Sequence, residues 1–204
     1  MRYVLLIALL TVLAAPCSGE PLILYRLGQD HPGWSAIKEY FDSRGYPVTI
    51  YQGETTIEKH LERAGRINRG PAGIFLALEF ASGQQPKAMV VAPAFEKRDA
   101  GAAQSQAGAD ATQAKPGAQP DGQAVIFYAI DELPGRHAEA SKQLADGIAS
   151  SFNVKVKRMP LFPVLGVNMP GIFVRLECKE EQVKERLNTL LGGIDKYNRR
   201  DIKK

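Results

Sequence analysis

Short apolar runs alternate along this chain with segments whose apolar residues recur at helical spacing, and that alternation restricts the fold more than any other feature. Leu22 to Leu27 reads as a buried strand. Trp34, Ile37, Tyr40 and Phe41 then share one helical face, and Gly45 stops that helix. Pro47 to Tyr51 is the next strand. Thr55, with Glu58 after it, has the form of a capping box for a helix that turns Ile57, Leu61 and Ala64 inward and ends at Gly70-Pro71. Strand-like runs follow at Gly73 to Phe80, Lys87 to Phe95 and Ala124 to Ile130. A helix over about Arg136 to Phe152 sets Leu144, Ala145, Ile148 and Phe152 on one face. Strands at Val154 to Arg158 and Gly171 to Glu177 flank the turn-rich Met159 to Pro170. The last helix, Glu180 to about Tyr197, carries Val183, Leu187, Leu190, Leu191 and Ile194 as its core stripe. This order implies a single α/β domain: a three-layer sandwich whose mixed, mostly parallel sheet has helices on both faces. In such sheets, sites lie beyond the carboxyl ends of the strands.

The two ends and one internal stretch depart from that pattern. Met1 to Gly19 holds Arg2, an apolar run from Tyr3 to Ala15, and then Pro16, Cys17, Ser18 and Gly19, the layout of a secretory signal peptide. Export to the periplasm or the extracellular space is therefore expected, with residues 20–204 as the folded domain. The apolar run falls short of the roughly 20 residues a spanning helix needs, and no later stretch approaches that length, so no retained membrane span is expected. Lipid attachment at Cys17 is a minor alternative, since Pro16 stands where a small residue is required. Without Cys17, Cys178 is the only thiol left and has no internal disulfide partner; it reads as a buried strand-end residue. About Lys97 to Gln123 is built of Ala, Gly, Gln, Pro and Asp and reads as a disordered insertion within the domain. The net charge of +4 gives no ground for a nucleic-acid partner. Lys196, Arg199, Arg200, Lys203 and Lys204 gather around Tyr197 as a solvated tail, with weak contact to anionic envelope polymers or lipid head groups as its functional alternative.

None of the three histidines shares a metal-ligand spacing with another His or Cys. His60, mid-helix among charged neighbours, reads as a surface residue, and His137, beside Arg136 and Glu139, as a solvated one. His31 follows the first strand in Gly28-Gln29-Asp30-His31-Pro32-Gly33 and reads as part of a helix-entry turn. Gly-rich phosphate loops, nucleophile elbows and paired-Cys sites are absent from the sequence. The residues alone describe an exported α/β domain without a catalytic set.

Several short strings, in order, add to this. They are Ser43-Arg44-Gly45-Tyr46-Pro47-Val48, Arg63 with Asn68, Ser141 to Ile148, and Met169-Pro170-Gly171-Ile172-Phe173-Val174. Together they resemble the zinc-dependent N-acetylmuramoyl-L-alanine amidases of the type 3 family, which cut the bond between MurNAc and the stem peptide of peptidoglycan. The resemblance runs from about Leu22 to Tyr197, apart from the insertion. It places Gly28 and Glu79 where the family has zinc-binding histidines, and Arg175 where it has its catalytic Glu. The connection carrying the family's Glu ligand has no counterpart. Gly28 has no donor atom, and Arg175 is a permanent cation where a base is required.

The resemblance thus implies a degenerate, non-hydrolytic member with no catalytic residues and no cofactor, which binds peptidoglycan or another envelope partner. Glu79, Arg175 and His31 are its candidate groove residues. Glu79 and Arg175 are expected to form an ion pair where the family holds zinc, the competing expectation being that both reach solvent separately. An active amidase with an atypical zinc site built from His31, Asp30 and Glu79 is the alternative. A structural envelope protein that makes its contacts through the insertion and basic tail is a further one.

Overall fold

A computed structural model of the chain describes residues 20–71, 73–94 and 132–201. The expected signal peptide, the insertion, the strand-like run Ala124 to Ile130, and Lys203 and Lys204 lie outside the described residues.

Among the described residues, six strands form one sheet: β1 (Leu22–Leu27), β2 (Val48–Gln52), β3 (Ile74–Ala81), β4 (Lys87–Pro93), β5 (Val156–Met159) and β6 (Gly171–Glu177), in the order β2-β1-β3-β6-β4-β5. The first four in that order run parallel, whereas β4 runs antiparallel to β6 and takes β5 with it. The sheet is mixed and mostly parallel, as the sequence pattern implied. The helices are α1 (Gly33–Asp42), α2 (Ile57–Ile67), the single turn α3 (Glu132–Gly135), α4 (Ala138–Phe152) and α5 (Val183–Asp201). Short 3-10 turns occur at Phe162–Val164 and Glu180–Gln182.

β1 and β3 are apolar on both sides because both faces of the sheet are covered. On one face Leu22, Leu24, Leu76, Leu78 and Val174 meet Ile37 and Phe41 of α1, Leu144 and Ile148 of α4, and Leu187, Leu190 and Ile194 of α5. On the other, Ile23, Tyr25, Phe75 and Ala77 meet Ala64 and Ile67 of α2 together with Leu161, Val164, Val167 and Met169. A helix at each face and a sheet between them give the three layers. At the crossing of α4 and α5 there is no room for side chains. A Cβ added at Gly193 would stand 2.5 Å from Ile148 Cα, and one at Gly147 would stand 2.9 Å from the Gly193 carbonyl oxygen.

Three local expectations need correction. The capping box at Thr55 and Glu58 does not form: the helix starts one residue later, with Thr56 as N-cap and no side-chain cap bond. The inward stripe of α2 is accordingly His60, Ala64 and Ile67, while Ile57 is exposed and Leu61 half-buried. His60 is therefore not a surface residue; only 1% of it is accessible.

Polar hooks tie the second face together over long sequence distances. Asn68, just past α2, donates from Nδ2 to the Gly166 carbonyl at 2.7 Å and accepts from the Asn168 N–H at 2.8 Å. Ser141, buried in α4, accepts the Gly171 N–H at the start of β6 at 3.0 Å. Both belong to strings that carry the amidase resemblance, and both hold structure. Among the described residues, no helix is long and apolar enough to cross a membrane.

Candidate functional site

The register of three adjacent parallel strands builds the candidate site. Leu27 stands opposite Glu79, and Glu79 opposite Arg175, at the carboxyl ends of β1, β3 and β6. Side chains alternate along a strand, so Glu79 and Arg175 both point to the face that α2 covers. The Arg175 guanidinium Nη1 lies 3.8 Å from Glu79 Oε1, an ion pair longer than a hydrogen bond. Gly28, the residue after β1, forms the floor beside it. Its φ is +78°, and a Cβ there would come within 2.9 Å of Glu79 Cγ. The three positions singled out by the resemblance, far apart in sequence, thus meet in one place. The ion pair itself is half-open to solvent and contributes roughly 0–1 kcal/mol to stability, so its interest is chemical and not energetic.

Gly28→Ala tests this floor. The left-handed backbone and the contact with Glu79 together should cost about 1–2 kcal/mol of unfolding free energy, measured by urea titration. An unchanged midpoint would mean that Glu79 does not pack on Gly28.

Zinc does not fit the residues present. Gly28 offers no donor, the one carboxylate of Glu79 is engaged by Arg175, and the guanidinium would repel a dication. Nor does the alternative ligand set assemble. Asp30 is paired with Arg26. His31 stacks on Phe80, ring centroids 5.3 Å apart at 15°, and Phe80 points to the sheet face opposite Glu79. His31 Nδ1 accepts the Gly33 N–H at 3.0 Å, closing the helix-entry turn that the sequence suggested. Among the described residues, no group of three or more His, Cys, Asp or Glu side chains is placed to hold a metal.

His31 is therefore separate from the Glu79 and Arg175 site. It lines a neighbouring cleft of about 600 Å³ with Ser82, Gln84, Glu177, Lys179 and Glu180, where the β3–β4 turn meets the end of β6. Cys178 sits in the wall of that cleft, fully buried, and burial pushes its thiol pKa up, away from a reactive thiolate.

On the same face of the sheet, beginning at Tyr25 two residues before Leu27, lies a polar chain that sequence reasoning missed. The Glu54 N–H donates to the Tyr25 hydroxyl at 2.8 Å, and that hydroxyl lies 2.9 Å from His60 Nδ1. His60 Nε2 lies 2.9 Å from the Leu165 carbonyl, which can only accept. The proton is thereby assigned to Nε2, and Tyr25 donates to Nδ1. Arg63, from the resemblance's own string, pairs with Glu54. Burial raises the Tyr25 pKa and lowers that of His60, so both are held neutral. The signal that could have found His60 is its spacing from Ala64 and Ile67, which places all three on one helical face.

No protein-family model matches the sequence, and no curated protein matches it. Among solved structures, the chain is similar to the catalytic domain of CwlV, an N-acetylmuramoyl-L-alanine amidase from Bacillus (Paenibacillus) polymyxa var. colistinus. The identity is 11%, the match covers 90% of this chain and 98% of that one, and the TM-score is 0.42.

Proposed function

We propose that this chain is an exported, non-catalytic protein of amidase-like fold that binds peptidoglycan through the surface formed by Gly28, Glu79 and Arg175. The observation that carries the reading is the convergence of those positions with an ion pair between them. A guanidinium held at a strand end cannot act as a base, but it suits the carboxylates of a stem peptide, which a planar fork of donors binds in two-point fashion. Glu79 positions Arg175 by charge, and His31 lines the neighbouring cleft. Export rests on the signal-peptide layout of Met1 to Gly19. An envelope protein presenting carboxylates is the other partner class that the same chemistry accommodates.

The test is co-sedimentation of the purified protein with isolated sacculi, alongside assay of the supernatant for released stem peptides with and without added zinc. Saturable binding without release is expected, and Arg175→Gln should weaken binding about tenfold, the loss of one charge-assisted contact. Zinc-dependent release of stem peptide would overturn the reading and restore the active amidase.

A further inference from the structure

At β5, the last strand in the order of the described sheet, lies a second concave surface, rich in cations. Where α4 passes β5, a cleft of about 430 Å³ is lined by Lys142, Asp146, Ser150, Lys155, Val156 and Arg158. Lys142 is paired with Asp146 at 2.9 Å. Lys155 and Arg158 are exposed and have no carboxylate partner among the described residues. Lys196 of α5 adds a further cation at the rim, where its Nζ donates to Ser150 Oγ at 3.2 Å. The only carboxylate among the lining residues is thus already engaged, while unpaired positive charge faces the opening.

Alternation along β5 explains the layout. Val156 and Arg158 face α4, whereas Lys157 points to the other side of the sheet, where its Nζ reaches Met89 Sδ at 3.6 Å. Charged residues on an edge strand also discourage pairing with another chain. Lys157 serves that purpose equally well, so edge protection alone does not account for cations gathered in a cleft.

We propose that this cleft binds a flexible polyanionic chain carrying closely spaced phosphates. The Arg158 guanidinium can clasp a phosphate by two parallel hydrogen bonds, while the lysines act as point charges along the chain. The concave shape suits a polymer strand better than a flat bilayer surface. None of the lining side chains is aromatic, so nothing there offers a platform on which nucleic-acid bases stack. The site is independent of the Glu79 and Arg175 pair.

Linear polyphosphate titrated into the full-length protein tests the proposal, with binding read by calorimetry at two salt concentrations. Saturable binding that weakens steeply with salt is expected. Arg158→Gln should weaken it about fivefold, and Lys157→Gln, with the same charge change on the other face, by less than about twofold. Absence of saturable binding would overturn the proposal. So would an equal loss from Lys157→Gln, which would mark a long-range charge effect. Tighter binding of an oligonucleotide with the same number of phosphates, or binding to phosphatidylglycerol vesicles in preference to polyphosphate, would transfer the surface to another partner class and overturn it as well.

Discussion

Gly193→Val is expected to lower the unfolding free energy by about 3 kcal/mol or more, enough to leave a marginal domain partly unfolded. The reason is the crossing of α4 and α5. A Cβ at Gly193 would lie 2.5 Å from Ile148 Cα and 2.8 Å from Ile148 Cγ1, and the first of these is backbone that no rotamer change can move. The helices would have to separate, loosening Leu144, Ile148, Leu190 and Ile194, all fully buried between them and the sheet. Gly192→Ala is the matched control, because a Cβ there meets nothing within 4 Å. Alanine at a helix interior should instead raise stability by about 0.5–1 kcal/mol. Urea titrations of both variants decide the matter: similar midpoints for the two would remove the close crossing from the account.

The second large effect concerns His60. His60→Ala should cost about 3 kcal/mol, because it leaves a cavity beside Phe162 and Tyr25 and strips the Leu165 carbonyl of its donor. The same residue gives the fold a defined acid response. Burial holds the folded imidazole below its ordinary pKa of 6.5, and the unfolded chain regains that value. Between the two, the unfolded state binds more protons, so stability is full above pH 6.5 and declines as the pH falls below it. Tyr25, Glu54 and Arg63 are the ionisable groups around it; the Glu54 charge opposes the shift without reversing its direction. Asp42 and Glu62, held below the usual carboxylate range by Lys38 and Arg66, act in a separate and more acidic window. A urea midpoint level above neutrality and falling from about pH 6.5, with the slope lost in His60→Gln, is the expected pattern. A wild-type midpoint that stays level down to pH 5 would show that His60 is not held neutral.

His60 also shows where sequence reasoning fell short and why. The charged residues near it, Lys59 and Glu62, suggested solvent, yet the side of the helix on which a residue lies is set by residues one and two turns away. Elements with an unambiguous apolar pattern were legible almost to the residue: Leu22–Leu27 and Gly171–Glu177 coincide with their observed strands. The reversal of β4 and β5 was not, because alternation reports which face a side chain takes and says nothing of strand direction.

The candidate site divides in the same way. The meeting of Glu79 and Arg175 was foreseen through the resemblance, but its physical cause is register between β3 and β6, which no local pattern encodes. His31 was grouped with them by nearness along the chain; the turn at Pro32 and the stack on Phe80 put it on the opposite face. Much of the short-string resemblance is explained by holding residues, such as Asn68 and Ser141, whose hydrogen bonds any protein of this architecture would have use for.

The reversed strand β4 has one further consequence. Because it runs against β6, its carboxyl end at Pro93 lies beside the amino end of β6, and His137, the residue before α4, meets Asn168 at that same rim. Glu79 and Arg175 occupy the other rim. Substitutions at Pro93, His137 or Asn168 therefore fall at the rim away from Glu79 and Arg175. The two rims stand at opposite ends of β6, so each can be altered by mutation without the other registering it.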